Sequence, residues 1–225
     1  MSLQLDRIGL GDRFREQAGE LILQIAVLLQ GGILSAAAFS LIGIFQTNED
    51  TAVRVILWLN GVIIGFLMFY RLCHRALFLM NAGLEILFIL PVMCLFQIVP
   101  FAVLSSTALG PDGWRYWYVA DTVVFVFGIV ANWLALRALK PSQYSDDLRA
   151  LYERLHVMIR QQVIEGIAAT LLTLLLTIWI LMMPQDWPYA TAFVSVHLAL
   201  TILSGLMIVR EDSRETTALR EKFAS

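Results

Sequence analysis

Residues 20–45 read ELILQIAVLLQGGILSAAAFSLIGIF, twenty-six residues with a single charge, Glu20, at the first position. At 1.5 Å per residue a helix of this length is about 39 Å long and outruns the ~30 Å hydrocarbon core of a bilayer. Its polar and small residues are not scattered. Glu20, Gln24, Gly31 and Ser35 are spaced by four, seven and four, which gathers them on one helical face. Lipid tails offer such a face nothing, so the pattern predicts a helix turned toward a partner or toward water in a pore.

The rest of the chain repeats the apolar theme. Of 225 residues, 59% are hydrophobic and 15% charged, with a mean hydropathy of +0.73. Globular domains carry about 25% charged residues. Here charge is absent from whole blocks, which marks an integral membrane protein whose first partner is the lipid bilayer. The net charge of −2 and the lack of a dense basic run argue against nucleic acid as a partner. Cys73 and Cys94 lack CxxC spacing and are expected to be packed free thiols. The first apolar run is too long for a signal-peptide core, so the N-terminus is expected to be retained.

Residues 1–19 mix charge with Leu3, Leu5, Ile8, Leu10 and Phe14, a pattern that suits a short interfacial helix. Five further apolar runs follow, at about 52–71, 76–104, 116–138, 163–183 and 189–209. Backbone groups cannot stay unpaired in lipid, and the alternation of barrel strands is absent, so the expected fold is an all-α integral membrane protein with six transmembrane helices spanning 20–209. Fourteen of the sixteen Lys and Arg residues fall on one side of this scheme, and only Arg54 and Arg115 on the other. The positive-inside rule then places both N- and C-termini in the cytoplasm. The aromatics Trp114, Tyr116, Trp117 and Tyr118, with Trp187 and Tyr189, are expected to form interfacial belts on the outer side. Segment 145–160, SDDLRALYERLHVMIR, reads as a cytoplasmic amphipathic helix with Ser145 as N-cap, and 210–225 as a charged cytoplasmic tail.

No catalytic constellation is visible: His74, His156 and His197 lie in different elements, and HExxH, GxSxG, Walker and CxxC patterns are missing. The chain is therefore expected to be no enzyme, with no catalytic residues, no metal and no cofactor. Intramembrane polar groups are costly and hence informative. Asn81 and Glu85 share a face of the third span, where they line a cavity or pair within the bundle. His197, Thr201 and Ser204 make a stripe on the sixth span, and Thr170, Thr173 and Thr177 one on the fifth. Hydroxyls bonding back to their own helix explain many of these. Asp121 and Arg115 flank the outer start of the fourth span, either in a negatively biased vestibule or on a solvated acidic face. Gly61 and Gly65 form a GxxxG that permits close helix approach, and Pro91 and Pro100 are expected to kink or end the third span.

The arrangement of spans two to five resembles that of the transmembrane protein 175 family, the endolysosomal potassium channel and its six-span bacterial relatives. The residues that carry the likeness are FYRLCHRALF closing span two, IVPFAVL closing span three, the Trp- and Tyr-rich start of span four, and SDDLRALYERLH before span five. His74, Leu77, Phe78, Pro100 and Phe101 stand about where that family places its histidine and Pro-Phe pairs. The family's Phe-Ser-Asp signature is absent: its place reads Ala18-Gly19-Glu20, and Phe39-Ser40 is followed by Leu41. The resemblance implies an oligomer whose first span lines a pore, with a constriction among Leu21, Ile22, Ile25 and Leu28.

Together these readings predict a homo-oligomeric, cation-conducting pore in a bacterial inner membrane, with Glu20, Gln24, Leu28, Gly31 and Ser35 as pore-lining candidates. Two rivals predict different partners. A non-conducting scaffold would dock a cytoplasmic protein through 145–160 or the tail. A small-solute transporter would place its site near Glu85 and His197.

Overall fold

The structure, a computed structural model, describes residues 2–47, 50–76, 84–138, 146–184 and 187–224, with side chains over 23–47, 50–71, 92, 94–134, 136–137, 153, 156–184 and 187–214. Among the described residues every regular element is helical: α1 (Ser2–Thr47), α2 (Thr51–Ala76), α3 (Leu84–Ser105), a 3₁₀ turn (Pro111–Arg115), α4 (Tyr116–Ala138), α5 (Asp146–Met182) and α6 (Ala190–Ala224). Five stretches are long and apolar enough to cross a membrane: Leu23–Thr47, Thr51–Arg71, Pro111–Leu134, His156–Met182 and Ala190–Arg214. The α3 backbone, 22 residues long, reaches about 33 Å and has the length of a sixth. It runs through Pro91 and Pro100 and ends only at Ser105, so neither proline terminates it.

Three helices outrun the bilayer. α1 has 46 residues, α5 37 and α6 35, or about 69, 55 and 52 Å. The interfacial helix expected over 1–19 is not a separate element, because the α1 helix continues without a break from Ser2. The amphipathic segment before span five and the tail after span six are likewise built into α5 and α6.

The helices alternate in direction. Arg54, in the first turn of α2, reaches Leu104 at the end of α3, and Arg115, at the entry to α4, reaches the end of α5. The C-terminal ends of α1, α3 and α5 thus meet the N-terminal ends of α2, α4 and α6 at one end of the bundle, called here the capped end. The overshooting parts of α1, α5 and α6 all extend from the opposite end. α2 and α3 sit centrally, α1 packs on both, α4 bridges α3 and α5, and α6 lies along α2.

The core is concentrated near the capped end, where Ile44, Val53, Leu57, Leu104, Trp114, Trp117, Tyr118, Ile180 and Val194 close on one another. Trp114, Trp117 and Tyr118 are therefore buried in protein rather than presented to headgroups as the belt reading expected; Tyr116 and Tyr189 are exposed. Elsewhere the exterior is apolar: Leu171, Leu175, Met182, Leu203 and Met207 point outward from α5 and α6. That inversion suits lipid as solvent. Lipid tails are as apolar as leucine and give helices no hydrophobic reason to associate, so close fit and polar contacts must hold the bundle. Close fit shows at Gly43, where a β-carbon would stand 2.8 Å from Ser105 of α3, and at Gly205, where one would stand 2.9 Å from Leu67 of α2. Of the GxxxG pair, Gly61 lies against Phe101, while Gly65 has open space beside it.

Candidate functional site

The polar contacts at the capped end begin with two buried arginines. A helix leaves its last four carbonyls without intrahelical partners, and the helix dipole makes that end attractive to a cation. Arg54 (1% exposed) donates from Nη1 to Leu104 O at 2.6 Å and from Nη2 to Gly110 O at 2.8 Å. Arg115 (5% exposed) donates from Nη1 to Met183 O at 2.6 Å and Ile180 O at 3.3 Å, and from Nη2 to Pro184 O. Its Nε lies 3.2 Å from Asp112 Oδ1. Each guanidinium fork thus ties one helix entry to another helix's end, a geometry that lysine cannot copy.

The loop between α3 and α4 is shaped for this. Gly110 has φ of 66° and ψ of −166°, a backbone conformation essentially reserved for glycine. At Gly113 a β-carbon would stand 2.9 Å from Leu109 Cβ and 3.3 Å from Arg54 Nη2, so only glycine lets the guanidinium close over the turn. These two arginines are the two exceptions in the sequence's charge count. They are internal ties, and among the described residues no positive charge is displayed at this end. The vestibule and solvated-face readings of Asp121 and Arg115 are both corrected by their burial.

About 14 Å along α2 from its start, a second polar group joins three helices. Asn60 of α2 donates from Nδ2 to His197 Nδ1 of α6 at 3.2 Å, and the Tyr118 hydroxyl of α4 stands 3.3 Å from the same nitrogen. An amide N–H can only donate, so Nδ1 accepts from Asn60 and the proton of the neutral ring belongs on Nε2. Tyr118 also stacks on His197, ring centroids 5.5 Å apart, and Trp117 meets it edge-on at 6.1 Å. Asn60, Trp117 and Tyr118 are wholly buried and Asp121 is 3% exposed. On the other flank of α4, the Thr177 hydroxyl of α5 faces that of Thr122 at 3.1 Å and stands 3.2 Å from Tyr118 O.

The hydroxyl stripes behave as expected: Thr170, Thr173, Thr177 and Thr201 each donate to the carbonyl four residues back. Ser204 is exposed. Asn81 lies outside the described residues, as do the side chains of Glu20 and Glu85. No group of three or more His, Cys, Asp or Glu suited to a metal occurs among the described residues.

The described part of the α1 stripe, from Gln24 on, is not buried in this chain. Ala26, Gln30, Ile33, Ala37, Ser40 and Ile44 face inward, while Gln24, Leu28, Gly31 and Ser35 are exposed. At 100° per residue the two sets lie roughly 180° apart. Trp58 Nε1 donates to Ala37 O at 2.8 Å and anchors the inward face to α2. On the outward face Ser35 donates to Gly31 O at 2.8 Å, and a β-carbon added at Gly31 or Gly32 would meet nothing from another element within 4 Å.

Among the described residues singled out in the sequence, His197 belongs to the buried polar group and Asp121 lies one helical turn beyond Trp117. Asn60 was missed although its signal was present, a lone amide in the apolar run VILWLNGVIIGF. Trp117 and Tyr118 were missed because aromatics near a span's end read as belt residues.

Fold and surface together define an all-helical integral membrane protein with five to six helices able to span the bilayer. No known protein family, characterised protein or solved structure compared with the chain matches it.

Proposed function

We propose that the chain is one subunit of an oligomeric membrane pore, cation-conducting, in which the outward face of α1 lines the conduit. The observation that carries this reading is the opposition of the two α1 faces. One is spent on the chain's own bundle, and the other sets Gln24, Gly31 and Ser35 on the open side. Small and polar residues suit a helix facing water or another subunit, whereas lipid favours bulky apolar ones. Leu28, 76% exposed, supplies an apolar ring in a symmetric assembly. The resemblance to the transmembrane protein 175 family leads to the same helix.

The orientation belongs to the proposal: termini in the cytoplasm of a bacterium, capped end outside. Sequestration of Arg54 and Arg115 supports it, since the remaining fourteen basic residues then all lie on one side. Purified protein in planar bilayers is expected to conduct, and Gln24→Cys to make that current sensitive to a water-soluble thiol reagent. Silence across pH and voltage would remove the pore reading.

One observation favours a scaffold instead. α1, α5 and α6 project as helices beyond the bilayer at one end, a shape suited to docking a soluble protein. A stoichiometric partner recovered with a non-conducting oligomer would support that reading.

A further inference from the structure

The polar group joining α2, α4 and α6 is incomplete as protein alone. Asn60 Oδ1 and Trp117 Nε1 are buried, and neither has a hydrogen-bond partner. Both residues are fully enclosed. The indole nitrogen lies against α2, 3.6 Å from where a β-carbon on Gly61 would stand, next in sequence to Asn60. Asp121, one helical turn beyond Trp117, is on the same face of α4. A β-carbon on Gly128, one heptad further on, would stand 3.3 Å from Met68 of α2. Asn60 bonds to His197 and Trp117 meets the same ring edge-on, so an unpaired carbonyl and an unpaired indole N–H both border His197 where α2 and α4 approach. Buried polar atoms rarely stay unpaired, since each orphan costs about 1–3 kcal/mol.

The chemistry of the orphans selects their occupant. It must accept a hydrogen bond from Trp117 Nε1–H and donate one to Asn60 Oδ1. A metal cation cannot accept from an indole, and a halide or other fully deprotonated anion cannot donate to a carbonyl. Water does both, and commonly makes about three hydrogen bonds in such sites.

We infer that the chain holds ordered water between α2 and α4, bound by Asn60 Oδ1 and Trp117 Nε1 and bordered by Asp121 and His197. This water completes the polar junction of three helices inside the membrane. It is a property of the single subunit and stands whether or not the protein conducts.

The test uses the full chain, indole-15N labelled, in lipid nanodiscs. Magnetisation transfer from water to each Trp Nε1–H reports hydration. Trp58 is the internal dry control, because its indole donates to Ala37 O. The Trp117 signal, assigned by its loss in Trp117→Phe, is expected to show a water cross-peak and to exchange into D2O well before Trp58. Asn60→Leu, which removes the other water ligand, is expected to weaken that cross-peak several-fold. If Trp117→Phe does not fold, the one indole signal that responds to Asn60→Leu identifies the site. A Trp117 indole as silent toward water as Trp58 would overturn the inference. So would a saturable shift of its resonance on titration with Na+ or K+, which would mark an ion site.

Discussion

Replacing Arg115 by leucine tests the physical account of the capped end most directly. The guanidinium satisfies three carbonyls at the end of α5, those of Ile180, Met183 and Pro184, and pairs with Asp112. Hydrogen bonds to charged groups contribute about 1.5–3 kcal/mol each, and stranding a buried acceptor costs about 1–3 kcal/mol. The Ile180 bond is long and the Met183 and Pro184 sites are only partly enclosed, so water recovers part of the loss. The expected net cost is about 3 kcal/mol, against about 5–15 kcal/mol for a whole domain. Arg115→Lys keeps the charge but loses the fork and should cost about half as much. Arg214→Ala, at an exposed arginine on α6, should change stability by less than about 0.5 kcal/mol. Urea or thermal unfolding in one detergent, followed by tryptophan fluorescence, gives the three values under identical conditions. If Arg115→Leu were no more destabilising than Arg214→Ala, the arginine would be incidental and the account of this end would fail.

Three further outcomes follow from the same contacts. Gly113→Ala should destabilise by about 1–3 kcal/mol through displacement of Leu109 and the Arg54 guanidinium, whereas Gly65→Ala should be neutral or stabilise by up to about 1 kcal/mol; paired melting curves in detergent read the difference. Tyr118→Phe keeps the ring stack on His197 but deletes one hydrogen bond, and should cost about 1 kcal/mol in the same unfolding measurement. Cysteines placed at Leu28 or Gly31 should form disulfide-linked dimers in membranes on mild oxidation, while Ile33→Cys and Ala37→Cys, on the inward face, should not; equal yields on gels from both faces would deny α1 a subunit interface.

The membrane class, the helical fold and the rough positions of the spans were legible in the sequence because lipid imposes them locally. A span must be long, apolar and internally hydrogen-bonded, and each run of residues meets or fails that demand by itself. The amphipathic split of α1 was legible for the same reason, since periodicity is a property of one helix. What surrounds each face was not. Gln24, Gly31 and Ser35 read equally well as a buried contact or an open surface, and only the packing of α2 and α3 against the opposite side decided it. Arg54 and Arg115 looked like stray outer charges, and Trp117 and Tyr118 like belt aromatics, because composition does not show that a helix end with orphan carbonyls lies within reach. His197 was visible as an intramembrane polar residue, but its partners Asn60 and Tyr118 are 137 and 79 residues away in sequence. Hydrogen bonds of that span depend on how helices are laid side by side, and no local pattern records it.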